Sequence, residues 1–259
     1  MDYEKNFIEL THNLFEYYSY TRYNHNRKIR EVSPRTDIII KNNKLDKTED
    51  EKIDIESKQY NDLLIIYELA MNQVVGTLNG IKARINQIYG YSMVEKIDSR
   101  IKSKTSIINK MKKKGIAFTY KSLVDNIDDI AGVRIVVPLK DDIFFIKQII
   151  ENLPNLKVIE EKDYIYSPKK SGYSAYHLIV ETPVTINGET VIIKVEIQIR
   201  TVAMDFWSEM EHDIRYKSNK PISKLDSKKL TWYAKALENL QAKIIKLYRK
   251  HEENTMLNY

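Results

Sequence analysis

The sequence predicts an α+β protein, strand-rich in its centre with helical additions at both ends, on three observations. Apolar residues recur at helical steps in separate stretches, short β-branched runs cluster between residues 133 and 199, and only seven glycines and six prolines punctuate 259 residues. So few of either residue leave little scope for positive-φ turns, which favours long helices over a turn-rich sandwich.

Taken in order, Phe7, Leu10, Leu14, Tyr17 and Tyr18 fall at steps of three and four and predict an amphipathic helix. Polar sequence through Pro34, a short β-like run at 37–40 and a charged stretch over 41–56 follow, so residues 1–56 read as an extension with a linker. From Ser57, the positions Tyr60, Leu64, Tyr67, Met71, Val74, Leu78, Ile81, Ile85 and Ile88 mark one face of a long core helix, with Gly90 as its stop. The basic segment Lys96–Lys114 reads as a second helix ended by Gly115. Val133–Pro138, residues 156–166, Ala175–Thr182 and Glu189–Ile199 read as strands, the last two joined at Asn187-Gly188, and Asp141–Asn152 as a helix. In the last strand Val191, Ile193, Val195, Ile197 and Ile199 share one face, while Lys194, Glu196, Gln198 and Arg200 share the other. Beyond residue 220, Leu230, Tyr233, Leu237, Leu240, Ile244 and Leu247 keep a 3,4,3,4,3 spacing, a seam that fits packing on the chain's own domain or on another subunit.

The net charge of +6 has an address. Between Lys96 and Ser122 nine basic residues face a single acid, Asp98, an excess of +8 that leaves the rest of the chain at −2. Local basicity of this kind suits a defined polyanion, although a solvated basic face or a nucleic-acid backbone would use the same residues. Absence of cysteine excludes disulfides, thiol catalysis and zinc–cysteine sites. No apolar run approaches the ~20 residues that span a bilayer, and the N-terminus lacks signal-peptide order, so the reading is a soluble, cytoplasmic protein with no membrane partner.

The chemistry follows from three constellations. There is neither a P-loop nor a dinucleotide fingerprint, so a polyphosphate must be gripped by side chains, which the Arg100–Lys114 segment supplies. Asp129, before one strand, and Glu196, on the polar face of another, are the carboxylates that a phosphate-bound Mg²⁺ requires, although each alone also fits a helix cap or a cross-strand ion pair. Gly172–His177 (GYSAYH) places Tyr173 and His177 on one side, an aromatic plane beside an imidazole.

In this order, Arg100-Ile-Lys102 with Ser106 and Lys110, DIAGVR (Asp129–Arg134), SGYSAYH (Ser171–His177) and VEIQIRT (Val195–Thr201), followed by Trp207 and Glu211-His212, resemble the synthetase domain of the RelA/SpoT family. The likeness runs from about Ser57 to the C-terminal helices and is greatest to the stand-alone small alarmone synthetases, because no hydrolase domain fits in the N-terminal residues. It implies a nucleotidyltransferase-like mixed β-sheet flanked by helices, with a synthetase domain over 57–220 and a C-terminal helix over 221–259 that is a candidate oligomerisation element. It further implies transfer of pyrophosphate from ATP to the 3′-hydroxyl of GDP or GTP, with Mg²⁺ as cofactor. By that resemblance Arg100, Lys102, Ser106, Lys110 and one of Lys112–Lys114, taken as Lys113, grip ATP. Asp129 and Glu196 hold the metal and act in catalysis, Tyr173 stacks on guanine, and Arg134, His177 and Gln198 surround the acceptor's ribose and phosphates. A tetramer is the implied assembly.

Two positions depart from the family pattern: Ser174, where Arg or Gln usually follows the stacking tyrosine, and Asp205, where small synthetases commonly carry Asn beside the guanosine nucleotide. Both predict an altered preference among GMP, GDP and GTP. Transfer to a tRNA 3′ end, with RNA docked on the basic segment, is the alternative enzymatic reading. A non-catalytic nucleotide- or RNA-binding module is the alternative of another class.

Overall fold

The computed structural model describes residues 53–54, 57–89, 92–186, 188–216 and 223–256. The expected helix over 7–18, the β-like run at 37–40, most of the stretch 41–56, and the Gly90 stop lie outside these residues.

Ser57 opens the first helix, α1 (Lys58–Tyr89), by accepting the Tyr60 N–H on its Oγ at 3.1 Å. The face carrying Tyr60, Tyr67, Val74, Leu78, Ile81 and Ile85 is buried as the spacing predicts, joined by Leu63 and Ala70, whereas Ile88 is exposed. The basic segment departs from expectation. Instead of one helix it forms a strand, β1 (Lys96–Ile101), and a helix, α2 (Lys104–Lys114). Ile97 and Ile101 recur with the period of a strand and pack against the core, and pairing with β2 (Ala131–Val137) satisfies a backbone whose like charges would repel on a helix. Ser103 caps α2 by accepting the Ser106 N–H at 3.3 Å, and Gly115 ends it at φ +64°.

Helix α3 (Tyr120–Asn126) leads into β2, and α4 (Lys140–Glu151) follows it. Strands β3 (Lys157–Asp163), β4 (Tyr176–Ile186) and β5 (Glu189–Thr201) come next, near the predicted runs but with shifted ends. Ile186 pairs with Glu189 and Gly188 adopts φ +79°, the geometry of a two-residue hairpin turn; Asn187 lies outside the described residues. The sheet order is β1-β2-β5-β4-β3, with β2 and β5 parallel and every other pair antiparallel, so the sheet is mixed.

Alternation divides the sheet chemically. Val133, Ile135, Val137, Val195, Ile197, Ile199 and Leu178 join the α1 and α4 residues in one core cluster. The opposite face carries Arg100, Gly132, Arg134, Glu196, Gln198 and Arg200, and α5 (Val202–Tyr216), running straight on from β5, covers part of it.

The last helix, α6 (Lys224–Met256), packs on α5 through Leu230, Ala234 and Leu237 around Trp207. Gln241 continues that side by accepting from Thr201 Oγ1 at 3.0 Å. The heptad seam therefore divides: Tyr233, Leu240, Ile244 and Leu247 are exposed. No helix among the described residues is long and apolar enough to cross a membrane.

Candidate active site

Strand register assembles the site. Arg100, Gly132 and Glu196 lie side by side across β1, β2 and β5, and Asp98, Arg134, Gln198 and His177 form the neighbouring row. Residues directly opposite one another project to the same face, so a glycine between an arginine and a glutamate leaves a trough in the polar surface. The trough is the floor of a cleft of about 120 Å³, walled by Lys102, Asp129, Arg134 and Gln198.

The cationic wall comes from the β1–α2 junction. Lys102 donates to Asp129 Oδ2 at 2.9 Å, and the Lys110 ammonium lies 2.8 Å from Oδ1. Burial alone would raise the Asp129 carboxyl, but hydrogen bonds and charge from Lys110 and Lys102 outweigh it and hold the group below its usual range. Ser106, Lys110 and Lys113 fall at steps of four and three along α2, hence on one side of it. Ser106 Oγ accepts from Ser103 Oγ at 2.8 Å, and Lys113 is exposed.

The other wall is a hydrogen-bonded chain. Arg200 donates to the Tyr173 hydroxyl at 2.8 Å and to Gln198 Oε1 at 2.7 Å. The Tyr173 hydroxyl also lies 2.8 Å from His177 Nε2, and because a carboxylate can only accept, His177 donates Nδ1–H to Glu196 Oε1 at 3.0 Å. The same logic orients Gln198: its oxygen faces Arg200, so its amide nitrogen donates to Glu196 Oε2 at 2.5 Å. Burial pushes the Glu196 carboxyl up and nearby Asp129 adds to that, yet the bonds from His177 and Gln198 prevail and keep it below the ordinary range. Tyr173 sits at the edge of this network with Lys169 Nζ 4.8 Å and the Arg200 guanidinium 5.1 Å from its ring centre. Burial raises its phenol despite Arg200. Asp205, at the start of α5, holds both Arg134 at 3.0 Å and Arg200 at 3.3 Å through one oxygen, and Arg134 also reaches Glu209 at 3.2 Å.

The carboxylates fit a phosphate-bound divalent ion. Lys102 and Lys110 each take one Asp129 oxygen, and each Glu196 oxygen receives one donor, so every one of these oxygens keeps a lone pair for a further partner. No group of three or more His or acidic residues suited to a metal occurs among the described residues. Two carboxylates suffice where substrate phosphates complete the shell.

The structure thus brings Arg100, Lys102, Asp129, Arg134, Glu196 and Gln198 into one cleft, with Lys110 and Asp205 touching its lining residues. His177 is buried, 6% exposed, and reaches the cleft through Glu196. Tyr173, Ser106 and Lys113 are not among the cleft's lining residues; among the described residues, Tyr173 is tied to that lining only through His177 and Arg200. Arg200 was visible only as a polar-face residue of β5, yet it binds Tyr173, Gln198 and Asp205 together. Lys169 carried no signal, because its place over Tyr164 and Tyr173 depends on a loop turning back on itself. Ser174 turns away from the site, donating to the Tyr164 carbonyl at 2.9 Å.

Residues 99–221 match the family model for the region found in RelA/SpoT proteins. The chain is 37% identical over 182 residues to the GTP pyrophosphokinase YwaC of Bacillus subtilis, covering 70% of this chain and 87% of that protein. It is 35% identical over 164 residues to the GTP pyrophosphokinase YjbM of the same organism, covering 63% and 76% of the two chains. A crystal structure of the small alarmone synthetase 1 from Bacillus subtilis, bound to its product pppGpp, superposes with a TM-score of 0.70 at 30% identity, covering 75% of this chain and 98% of that one.

Proposed function

This chain belongs to the RelA/SpoT family, in its small alarmone synthetase branch, and on that premise we propose that it transfers pyrophosphate from ATP to the 3′-hydroxyl of GDP or GTP. The observation that carries the reading is the single cleft in which a lysine-held Asp129 faces a Glu196 held by His177 and Gln198. The synthetase domain is assigned to residues 57–220, preceded by an extension over 1–56 and followed by a helical element over 221–259. Its place is the cytoplasm, where both nucleotides are found.

ATP enters the cationic side. Its phosphate oxygens displace Asp129 from Lys102 and Lys110, and Arg100, Ser106 and Lys113 extend the grip along β1 and α2. Asp129 and Glu196 would hold Mg²⁺, which when bound would supply charge neutralisation at the phosphates. The acceptor base stacks on Tyr173, while Arg134 and Gln198 meet its ribose and phosphates and buried His177 holds Glu196 in place. Glu196 then orients the 3′-hydroxyl, whose oxygen forms a bond to the β-phosphorus as the bond from that phosphorus to the α–β bridging oxygen breaks. AMP departs with that oxygen, and the hydroxyl proton passes to Glu196 and on to solvent. A carboxyl depressed in this way is a weak proton acceptor, so its larger contribution is orientation. No covalent enzyme intermediate is needed, because positioning and charge stabilisation are what phosphoryl-group transfers demand.

Incubation with ATP, Mg²⁺ and GDP or GTP should release AMP together with a guanosine 3′-pyrophosphate; no AMP with any guanosine nucleotide would sink the reading. Asp205 then governs acceptor choice. Its carboxylate engages Arg134, which lines the cleft, and so competes with the acceptor's phosphates for that guanidinium. Asp205→Asn is expected to raise kcat/KM for GTP relative to GMP by about fivefold, the value of roughly one half-screened ion pair. Unchanged ratios among GMP, GDP and GTP would refute this.

The outward residues of α6 provide for self-association, and we assign a homo-oligomer, a tetramer by family likeness. A Leu240→Asp, Ile244→Asp double variant should dissociate in light scattering while keeping its helical circular dichroism. A wild type already monomeric would overturn the assignment.

A further inference from the structure

The loop between β3 and β4 carries Tyr173, and its path is set from outside the cleft. Gly172 adopts φ +90°, and a Cβ there would stand 2.5 Å from Ala234 Cβ on α6 and 3.0 Å from Trp207 Nε1 on α5. Only a residue without a side chain can approach so closely. The indole N–H of Trp207 donates to the Gly172 carbonyl at 3.0 Å, and Thr231 Oγ1 lies 3.2 Å from the Lys170 carbonyl. Within the loop, Gly172 N–H donates to Lys169 O at 2.8 Å and Lys169 N–H to Tyr173 O at 3.0 Å, so the turn seated on α5 and α6 is the one that presents the ring. Trp207, Leu230 and Ala234 are buried in their own small cluster, apart from the main core. Beside them a cavity of about 330 Å³ runs under the loop, bounded by Lys169, Ser174, Leu237 and Gln241.

We propose that Trp207 and Ala234 are positioning residues for the acceptor nucleotide, a seat on α5 and α6 that sets where Tyr173 stands and hence how tightly the guanosine substrate is held. This rests on the assignment of Tyr173 to the acceptor base. The ATP side stands apart from the seat: Lys102, Lys110 and Asp129 pair with one another at the β1–α2 junction and make no contact with Trp207 or Ala234 among those described. Loosening the seat therefore acts on one substrate and spares the other.

Two variants test the seat. Trp207→Phe keeps an apolar ring and removes the N–H donor; Ala234→Leu keeps a strong helix former and crowds Gly172. Each is expected to weaken GDP binding, measured by calorimetry without ATP, by roughly five- to tenfold, the effect of about one lost hydrogen bond. Binding of a non-hydrolysable ATP analogue should stay within twofold, and in turnover KM for GDP should rise with KM for ATP unchanged. GDP affinity within twofold of wild type in both variants, or equal weakening of both nucleotides, overturns the proposal. Because the calorimetric arm needs no turnover, a wild type that binds GDP but transfers nothing would count against the proposed reaction while leaving the seat to be judged on affinity alone.

Discussion

Glu196→Gln is expected to lower kcat by roughly 10²–10⁴-fold, the range associated with loss of a positioned acid–base group, while the sheet stays folded. The side chain keeps its length, but the amide cannot accept on both sides. With Gln198 oriented by Arg200 and His177 donating from Nδ1 as in the wild type, the new NH₂ must face a donor. One donor–donor contact costs about 1–3 kcal/mol, so a modest fall in thermal stability should accompany the loss of rate. The pH dependence has a definite sign. The Glu196 carboxyl is held below its ordinary value of 4.5 in the folded chain, so its stabilising contribution is complete above that value and is lost as pH falls through the lower folded value. Acid titration of unfolding should show wild type losing stability below about pH 4.5 more steeply than Glu196→Gln. The acid limb of the rate profile, where it reports this group, should also lie below that pH. A Gln variant retaining more than a tenth of the wild-type rate would remove Glu196 from its assigned role.

Gly132→Val is expected to abolish transfer, by at least about 10²-fold, with little change in folding. Gly132 sits between Arg100 and Glu196 on the polar face, and a Cβ there meets only the Arg100 carbonyl, at 3.8 Å. The backbone thus accepts a side chain, and a β-branched residue suits a central strand. The isopropyl group would nevertheless stand on the floor of the cleft, where displacement of a reacting group by about 1 Å costs on the order of 10²-fold. Gly132→Ala should show a smaller loss. Equal activity in Gly132→Val and wild type, measured as AMP release, would show that the trough is not where the substrates meet.

The family's motifs, the long first helix, the hairpin of β4 and β5 and the two-faced character of β5 were legible in residue order because each rests on local spacing. Period two on β5 placed Glu196, Gln198 and Arg200 together before any partner was known. The basic segment was misread for a physical reason. Lysines and arginines are good helix formers, and the apolar residues that mark β1 as a strand, Ile97 and Ile101, are too few to outweigh them without the pairing to β2. Arg100 consequently belongs to the sheet, and the phosphate grip spans a strand and a helix.

The residue types in the cleft, their assignment to an anionic substrate and the absence of a glycine-rich phosphate loop are properties of the chain alone, since they follow from composition and short-range order. Which groups neutralise which is not. Asp205 between Arg134 and Arg200, the chain from Arg200 through Tyr173 and His177 to Glu196, and the seat of Gly172 on Trp207 and Ala234 join residues from separate elements. Hydrogen bonds and ion pairs depend on distances of about 3 Å, and only the packing of β4, β5, α5 and α6 brings those atoms within reach of one another.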